Sequence, residues 1–380
     1  MGALPAPPCR LCRWSDFFID EKECAVTYAT RPARPWHVAV IANIKGQTPV
    51  PSDIPDADAE FDRQSTIDVL SAAIASDGHR VTFLSGDASL PLRIMDDKPD
   101  ICFNLTEGMY GDSREAQIPA VLELLRIPYT GSRVLANAIT LDKVMTKRIW
   151  QNFGLATAPF QVFVTGDEPL RADLSFPLFV KPSREGSGMG MDAGSIVHTV
   201  AQLRARVQSV ITRYHQPALV EPYLTGREFT VGVLGRTGTT HASRIPRHYS
   251  ADGFVHMPLL EIDSQISHTP GVYGFDNKLL DVGDSKGAGL VCPAPVSDAF
   301  TAQLCQLAIA AHNAVGALDI SRVDVRLDAH GAPMLVEINT LPGLTPDFSD
   351  LALIINAAGI PYNDLILEIL YLAADRYGLR

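Results

Sequence analysis

No run in this sequence approaches the roughly 18 consecutive apolar residues that a membrane-spanning helix requires. The N-terminal segment MGALPAPPCRLCRWSDFF carries arginines but no apolar stretch to serve as the core of a secretory signal. A cytoplasmic protein with no membrane partner is therefore expected. Basic charge is also short: 32 Lys and Arg stand against 43 Asp and Glu, a net charge of -11. That balance argues against broad nucleic-acid or anionic-membrane binding, since both need a basic surface to displace counterions. Any phosphate site must be built locally from a few cations. Cysteine is scarce, with 6 in 380 residues, and Cys102 and Cys305 lie in apolar stretches where a thiol behaves as a small hydrophobe. Cys9, Cys12 and Cys24 could grip zinc or act in redox chemistry if a fourth ligand or a βαβ context completed them. Neither is visible, so residues 1–35, with prolines at 5, 7, 8, 32 and 35, read as an irregular extension with free thiols.

What is present is ample apolar material, 46% of the chain, enough for two or three domains at about 100–200 residues each. HVAVIANI from His37 reads as a buried strand, Asp62 to Asp77 as an amphipathic helix, RVTFL as a strand and DICFNL from Asp100 as a third. Strands alternating with helices imply a parallel sheet over residues 36–132. EAQIPAVLELLRI is a further helix, IPYTGS a turn, and TLDKVMTKRIWQNFG a helix with Lys143 and Lys147 four residues apart on one face. A second unit, 133–222, continues through strand FPLFVKP, the glycine-rich SREGSGMGMDAG, a helix from Val200 to Tyr214 and strand ALVEPYL, an α+β pattern. Residues 223–380 form a third unit ending in two helices after Leu351.

FVKPSREGSGMG places Gly186, Gly188 and Gly190 just after a strand bearing Lys181. Backbone amides without side chains can approach phosphate closely, although a flexible turn explains the same glycines. The spacing is neither the Walker pattern nor G-x-G-x-x-G. SRVDVRLDAHGAPMLVEINTLPG carries more information, because the turn DAHG joins two alternating segments into a hairpin. Period-two geometry puts Arg322 and Asp324 on one face of the first strand, and Glu337 and Asn339 on one face of the second. Two carboxylates and an amide oxygen are hard donors suited to magnesium, which completes its octahedron with water and substrate phosphates. A solvated cross-strand salt bridge is the bland alternative. It is weakened because VEINTLPG sets Glu337 and Asn339 beside apolar Val336 and Ile338, the mark of a strand packed on a core.

The motifs IPYTGS, LDKVMTK, FVKPSREGS, LVEPYLTGREFTV, RVDVRLD and VEINTLPG occur in this order and spacing from about His37 to the C-terminus. In this the chain resembles the D-alanine–D-alanine ligase family of ATP-grasp enzymes. The resemblance implies an α/β and α+β, three-domain ATP-grasp fold whose N-terminal domain is built on a parallel sheet. It implies an ADP-forming ligase that joins a carboxylate to an amine, in an amide or imine-type bond, through an acyl-phosphate. The implied cofactors are ATP and magnesium, two ions with manganese as a substitute, and the implied assembly is a homodimer through N-terminal domains.

The resemblance also assigns roles: Lys143, Lys181 and Lys278 to ATP phosphates, Glu221 and Leu224 to the adenine hinge, and Glu228 to the ribose hydroxyls. Asp324, Glu337 and Asn339 match metal ligands, and Arg322 with the Gly343 N–H matches the stabiliser of the tetrahedral intermediate. A non-catalytic ATP-binding module would have lost such groups, and a kinase or carboxylase of the same fold fits the whole pattern less well. The departure lies at the first substrate. Where the family places a glutamate that grips the first D-alanine's amine, this chain has a longer acidic insertion with Glu60 in the approximate place. That glutamate's usual partners are a loop serine, matched by Ser187, and a tyrosine, replaced here by Leu279, which donates no hydrogen bond. Ser349 is placed near the second substrate's carboxylate, about one residue out of register. The expectation is a reshaped, more apolar first-substrate pocket and a donor other than simple D-alanine, with D-alanyl-D-alanine synthesis as the alternative.

Overall fold

The computed structural model describes residues 34–50, 58–237, 244–263, 272 and 289–379, so Lys278, Leu279, Cys9, Cys12 and Cys24 lie outside the described residues. The first sheet holds β1 (His37–Ala42), β2 (Arg80–Ser85) and β3 (Ile101–Asn104) in the order β2-β1-β3, all parallel. β1 is buried at every position, as a central strand covered on both faces must be. Crossovers α1 (Gln64–Ala75) and α2 (Leu90–Asp97) make the parallel pairing possible; α2 is a short helix that sequence reading passed over.

After α3 (Gln117–Leu125) come α4 (Val134–Leu141) and α5 (Lys143–Asn152). Sequence reading passed over α4 and began the next helix at Thr140, two residues before Asp142. Asp142 separates α4 from α5: its backbone is extended, and its carboxylate accepts hydrogen bonds from the Val144 and Met145 amides, an N-cap that starts α5 at Lys143. The second sheet, β4 (Gln161–Phe163), β7 (Ala218–Pro222), β5 (Leu178–Pro182) and β6 (Ile196–Val197), is antiparallel in the order β4-β7-β5-β6. Helix α6 (Val200–Tyr214) lays Leu203, Val207 and Val210 on this sheet, on a core with Phe163, Leu178, Val180 and Val220.

The third sheet runs β10 (Leu290–Val291), β9 (Leu260–Ile262), β8 (Glu228–Leu234), β11 (Ile320–Leu327), β12 (Pro333–Asn339), also antiparallel. One face packs on α7 (Asp298–Ala314), burying Val323, Val325, Leu335 and Ile338 with Leu304 and Ala308. Sequence reading did not single out α7, although Leu304, Ala308 and Ala311 fall on one helical face and Ser297 caps it by accepting from the Phe300 amide.

The hairpin of β11 and β12 aligns Arg322 with Asn339 and Asp324 with Glu337. Its alternation is broken by a bulge: the register shifts after Asp324, so that Val325 pairs with Leu335 and Val336 is the extra residue. Val336 therefore does not join the core with Ile338, as simple alternation suggests. It turns with Glu337 toward the open face. The chain ends in α8 (Asp350–Ala357) and α9 (Tyr362–Arg376), bent by 109° between them. Among the described residues no single helix is long and apolar enough to cross a membrane. The apolar side chains of α9 instead pack on α1 and the first sheet, where Leu365, Ile366 and Leu370 meet Ile67, Leu70 and Val38.

Candidate active site

Two cavities meet at Arg322, whose side chain lines both. The first is a slot between the second and third sheets. Phe179, Pro222, Leu224, Ile262 and Val336 give it apolar walls, and Lys181, Glu221, Glu228 and Arg326 give it charged edges. Phe179 stacks on Tyr223 with ring centroids 6.3 Å apart, while Arg326 lies over the same Tyr223 ring and donates to its hydroxyl at 3.1 Å. A flat apolar gap with polar groups at its rim suits a heteroaromatic base bearing a hydrophilic tail.

At one end of the slot, Glu221 is held between two ammonium groups, Lys147 and Lys181, each at 2.8 Å. Burial alone would raise this carboxylate's pKa, but the two lysines bring it down to about 2. Burial also works against both lysines. It wins at Lys147, whose pKa is lowered, and loses at Lys181, where Glu221 and Glu337 hold the ammonium form. The two lysines of α5 thus diverge: Lys147 turns to Glu221, and Lys143 reaches Glu337 at 3.2 Å and the Glu185 carbonyl. Glu228 sits at the other side of the slot with Arg326 at 3.2 Å, and burial raises its pKa despite that partner.

The open face of the hairpin forms the junction. Arg322 donates through Nη2 to Asp324 at 3.0 Å and reaches Asp350 at 3.4 Å and Glu337 at 3.7 Å. Thr230 on β8 donates to Asp324 at 2.9 Å, and Asn339 to Glu337 at 3.5 Å. Burial opposes the guanidinium charge, yet the surrounding carboxylates raise its pKa further above the ordinary arginine value. This is a buried, converging cluster, so the reading of a solvated surface salt bridge does not hold.

The second cavity lies beyond Arg322 and Lys143. Glu60, Asp62, Glu107, Glu115, Ser187, Asn339, Gly343 and Ser349 line it. A Cβ on Gly343 would come within 2.8 Å of the Ser349 hydroxyl, so only glycine fits without displacing that side chain. Ser349 Oγ in turn accepts from the Thr345 amide at 3.1 Å, and the turn is anchored from below by Thr340, which donates to Asn137 Oδ1 at 2.8 Å. The glycine-rich loop is folded over this cavity. Ser187 has a positive φ of 50°, and Gly186 faces Glu60 so closely that a Cβ would lie 2.1 Å from its carboxylate.

Glu60 does not partner Ser187 among the described residues; Arg114 donates to it at 2.7 Å and to Glu185 at 3.2 Å. Sequence reading missed Arg114, Glu115, Glu107 and Glu185, and also Asp350 and Arg326. Arg114 and Glu115 occupy a single 3-10 turn before α3, where no periodicity marks a residue. Asp350 had a legible signal as an acid in the first turn of a helix. The more apolar pocket is expected from Leu279, which lies outside the described residues; the described wall is acidic, with four carboxylates facing two cations.

These residues occur in a chain with clear relatives. The family described as D-ala D-ala ligase C-terminus matches residues 149–371. The D-alanine–D-alanine ligase of Citrifermentans bemidjiense is 32% identical over 80% of this chain and 88% of its own length. That of Nitrosococcus oceani is 35% identical over 68% and 73%. An uncharacterized protein, y4sG, of Sinorhizobium fredii is 33% identical over 82% and 88%. A solved D-alanine–D-alanine ligase from Bacillus anthracis, complexed with ATP, superposes with a TM-score of 0.65 at 21% identity, covering 90% of this chain and 99% of that one.

Proposed function

The chain belongs to the D-alanine–D-alanine ligase family and is an ATP-grasp, ATP-dependent ligase, and on that premise we propose that it joins a donor carboxylate to an acceptor amine through an acyl-phosphate. The observation that carries this reading is the position of Arg322 on the common wall of the two cavities. A nucleotide in the slot and a carboxylate in the acidic cavity would meet at that wall.

In this reading the adenine lies in the slot along Glu221 and Leu224, and Glu228 accepts from the ribose hydroxyls. Lys143 and Lys181, with Lys278, hold phosphates. The donor carboxylate attacks the γ-phosphorus, ADP leaves, and the carboxyl becomes an acyl-phosphate. The acceptor amine then attacks the carbonyl carbon, and inorganic phosphate departs. Arg322 and the Gly343 N–H stabilise the oxyanion formed in between, where fixed donors need no reorganisation. The loop around Ser187 keeps water from the acyl-phosphate.

Asp324 and Glu337, paired in register, and Asn339 beside them suit magnesium by donor chemistry. Among the described residues no three carboxylate, imidazole or thiolate groups are placed to hold a metal ion by themselves, and an ion here would take its remaining ligands from phosphate and water. Bound there, magnesium would supply charge neutralisation for the phosphates; the proposal is two ions, with manganese as a substitute. Glu337→Gln removes one anionic oxygen and is expected to raise the magnesium concentration for half-maximal turnover about tenfold. Unchanged magnesium dependence would place the ion elsewhere.

The donor is proposed to differ from simple D-alanine. The names of the relatives favour a second reading, D-alanyl-D-alanine synthesis itself. ADP release across D- and L-amino acids, singly and in pairs, with products identified by mass, separates the two. Efficient D-alanyl-D-alanine formation with no better pair selects the second. No ADP from any pair would leave a nucleotide-binding module. We place the protein in the cytoplasm, in keeping with free Cys102, Cys292 and Cys305. A homodimer is part of the same reading, and light scattering over a concentration series tests it: a monomer throughout would refute it.

A further inference from the structure

The charge in the acidic cavity is not balanced by the cations around it. Each neighbouring cation is already engaged: Lys143 with Glu337 at 3.2 Å, Arg322 with Asp324 at 3.0 Å, and Arg114 with Glu60 at 2.7 Å. Glu107 and Glu115 line the same cavity and have no hydrogen bond or ion pair with any described residue. Glu115 is only 9% exposed, and its accessible surface faces the cavity. Buried carboxylates are ordinarily paired, because an uncompensated charge removed from water is costly. Arg114 and Lys143 act on Glu115 only through their fields, so two carboxylates without a direct partner on one wall of this cavity leave room for a cation that the described residues do not supply.

Resting on the ligase reading above, we propose that the donor is an amino acid with a second cationic group, a diamino or guanidino acid, whose distal cation is received by Glu107 and Glu115. The α-ammonium remains with Glu60, since a carboxylate has about four acceptor positions and Arg114 occupies only part of them. A neutral side chain such as that of alanine leaves Glu107 and Glu115 without a partner. Burial and the nearby Glu60 push the Glu115 carboxyl up to about 8, and burial with Glu115 raises Glu107 as well. Burial opposes the ionised form of both carboxyls, and a cationic donor favours it.

The test is ADP release by the full chain with 2,4-diaminobutyrate, ornithine, lysine, arginine and alanine as donors, in both enantiomers, each paired with the same set of acceptors. A cationic donor is expected to exceed D-alanine in kcat/KM by tenfold or more. In Glu115→Gln and Glu107→Gln, that preference should fall about tenfold, mainly through KM, as expected when one partner of a buried charge pair is removed. Thermal melting and calorimetry with a non-hydrolysable ATP analogue establish that each variant is folded and binds nucleotide. If Glu115→Gln does not fold, the more accessible Glu107→Gln and the wild-type panel still decide. ADP release that favours a neutral donor, or a cationic preference that survives both substitutions, overturns this inference and leaves the ligase reading intact. ATP-analogue binding with no ADP release from any pair overturns the ligase reading, and this inference with it.

Discussion

Arg322→Ala is expected to lower ligation by about 10²–10³-fold while the affinity for an ATP analogue, read by calorimetry, changes by less than about threefold. The asymmetry follows from where the guanidinium stands. It lines the slot proposed for the nucleotide, but its ion pairs are to Asp324, Asp350 and Glu337. Its charge matters most when an oxyanion forms between the two cavities. The same substitution leaves three carboxylates facing one another, so a drop in Tm accompanies the loss of turnover. Arg322→Lys separates the two effects. It restores a positive charge but not the planar fork that reaches three acids, so Tm should recover more than kcat does. Normal turnover in the alanine variant would remove Arg322 from the chemistry.

Glu221→Gln is expected to produce the largest loss of stability of any single change in the slot. Lys147 and Lys181 are buried on either side of this carboxylate, each 2.8 Å away. An amide leaves the Lys147 ammonium without its counter-charge and Lys181 with only the fields of Glu337 and Glu228, a loss of about 3–5 kcal/mol when one partner of a buried ion pair is removed. At about 1.3 °C per kcal/mol for a chain of 380 residues, the melting temperature falls by roughly 4–6 °C. The pH dependence has a definite sign. The carboxylate's pKa is lowered from 4.5 to about 2 on folding, so its contribution is fully present above the ordinary value. It is lost as pH falls through that interval. The difference in Tm between wild type and variant should therefore narrow on acidification below pH 4.5. A difference that stays constant would show that Glu221 acts through packing. The double variant Glu221→Gln with Lys147→Met, which removes one stranded cation as well, is expected to melt above the single variant.

What could be read from sequence follows the range of the interactions involved. β1 and β3 are continuous apolar runs, and their parallel pairing follows from the alternation of strand and helix. That Arg322 and Asp324 share one face of their strand, and Glu337 and Asn339 one face of theirs, follows from period two. The bulge at Val336 does not, because nothing in VEIN distinguishes a two-against-one pairing from simple alternation. The Glu221 cluster was equally illegible: it joins α5 to β7 across separate elements, and charge type alone could not say which lysine faces which acid. Glu107 lies in irregular chain after β3 and Glu115 in the 3-10 turn at the very start of EAQIPAVLELLRI, where helical or alternating periodicity does not report which side is buried. Their proximity to Glu60 depends on how an insertion folds back, and spacing in the chain carries no record of it.

The last helix has a consequence for the order in which the molecule forms. Ile67, Leu70 and Ile74 of α1 and Trp36 beside β1 are buried largely by α9, where Tyr371 meets Trp36 edge-on and bonds both His79 and Asp77. During synthesis, the first sheet and its helices emerge long before residues 362–376. At about 5–20 residues per second, this apolar flank stays open to water for on the order of tens of seconds. The earliest-made sheet is therefore the last to be sealed. The nascent chain gains from protection at the α1 flank until residues 362–376 leave the ribosome.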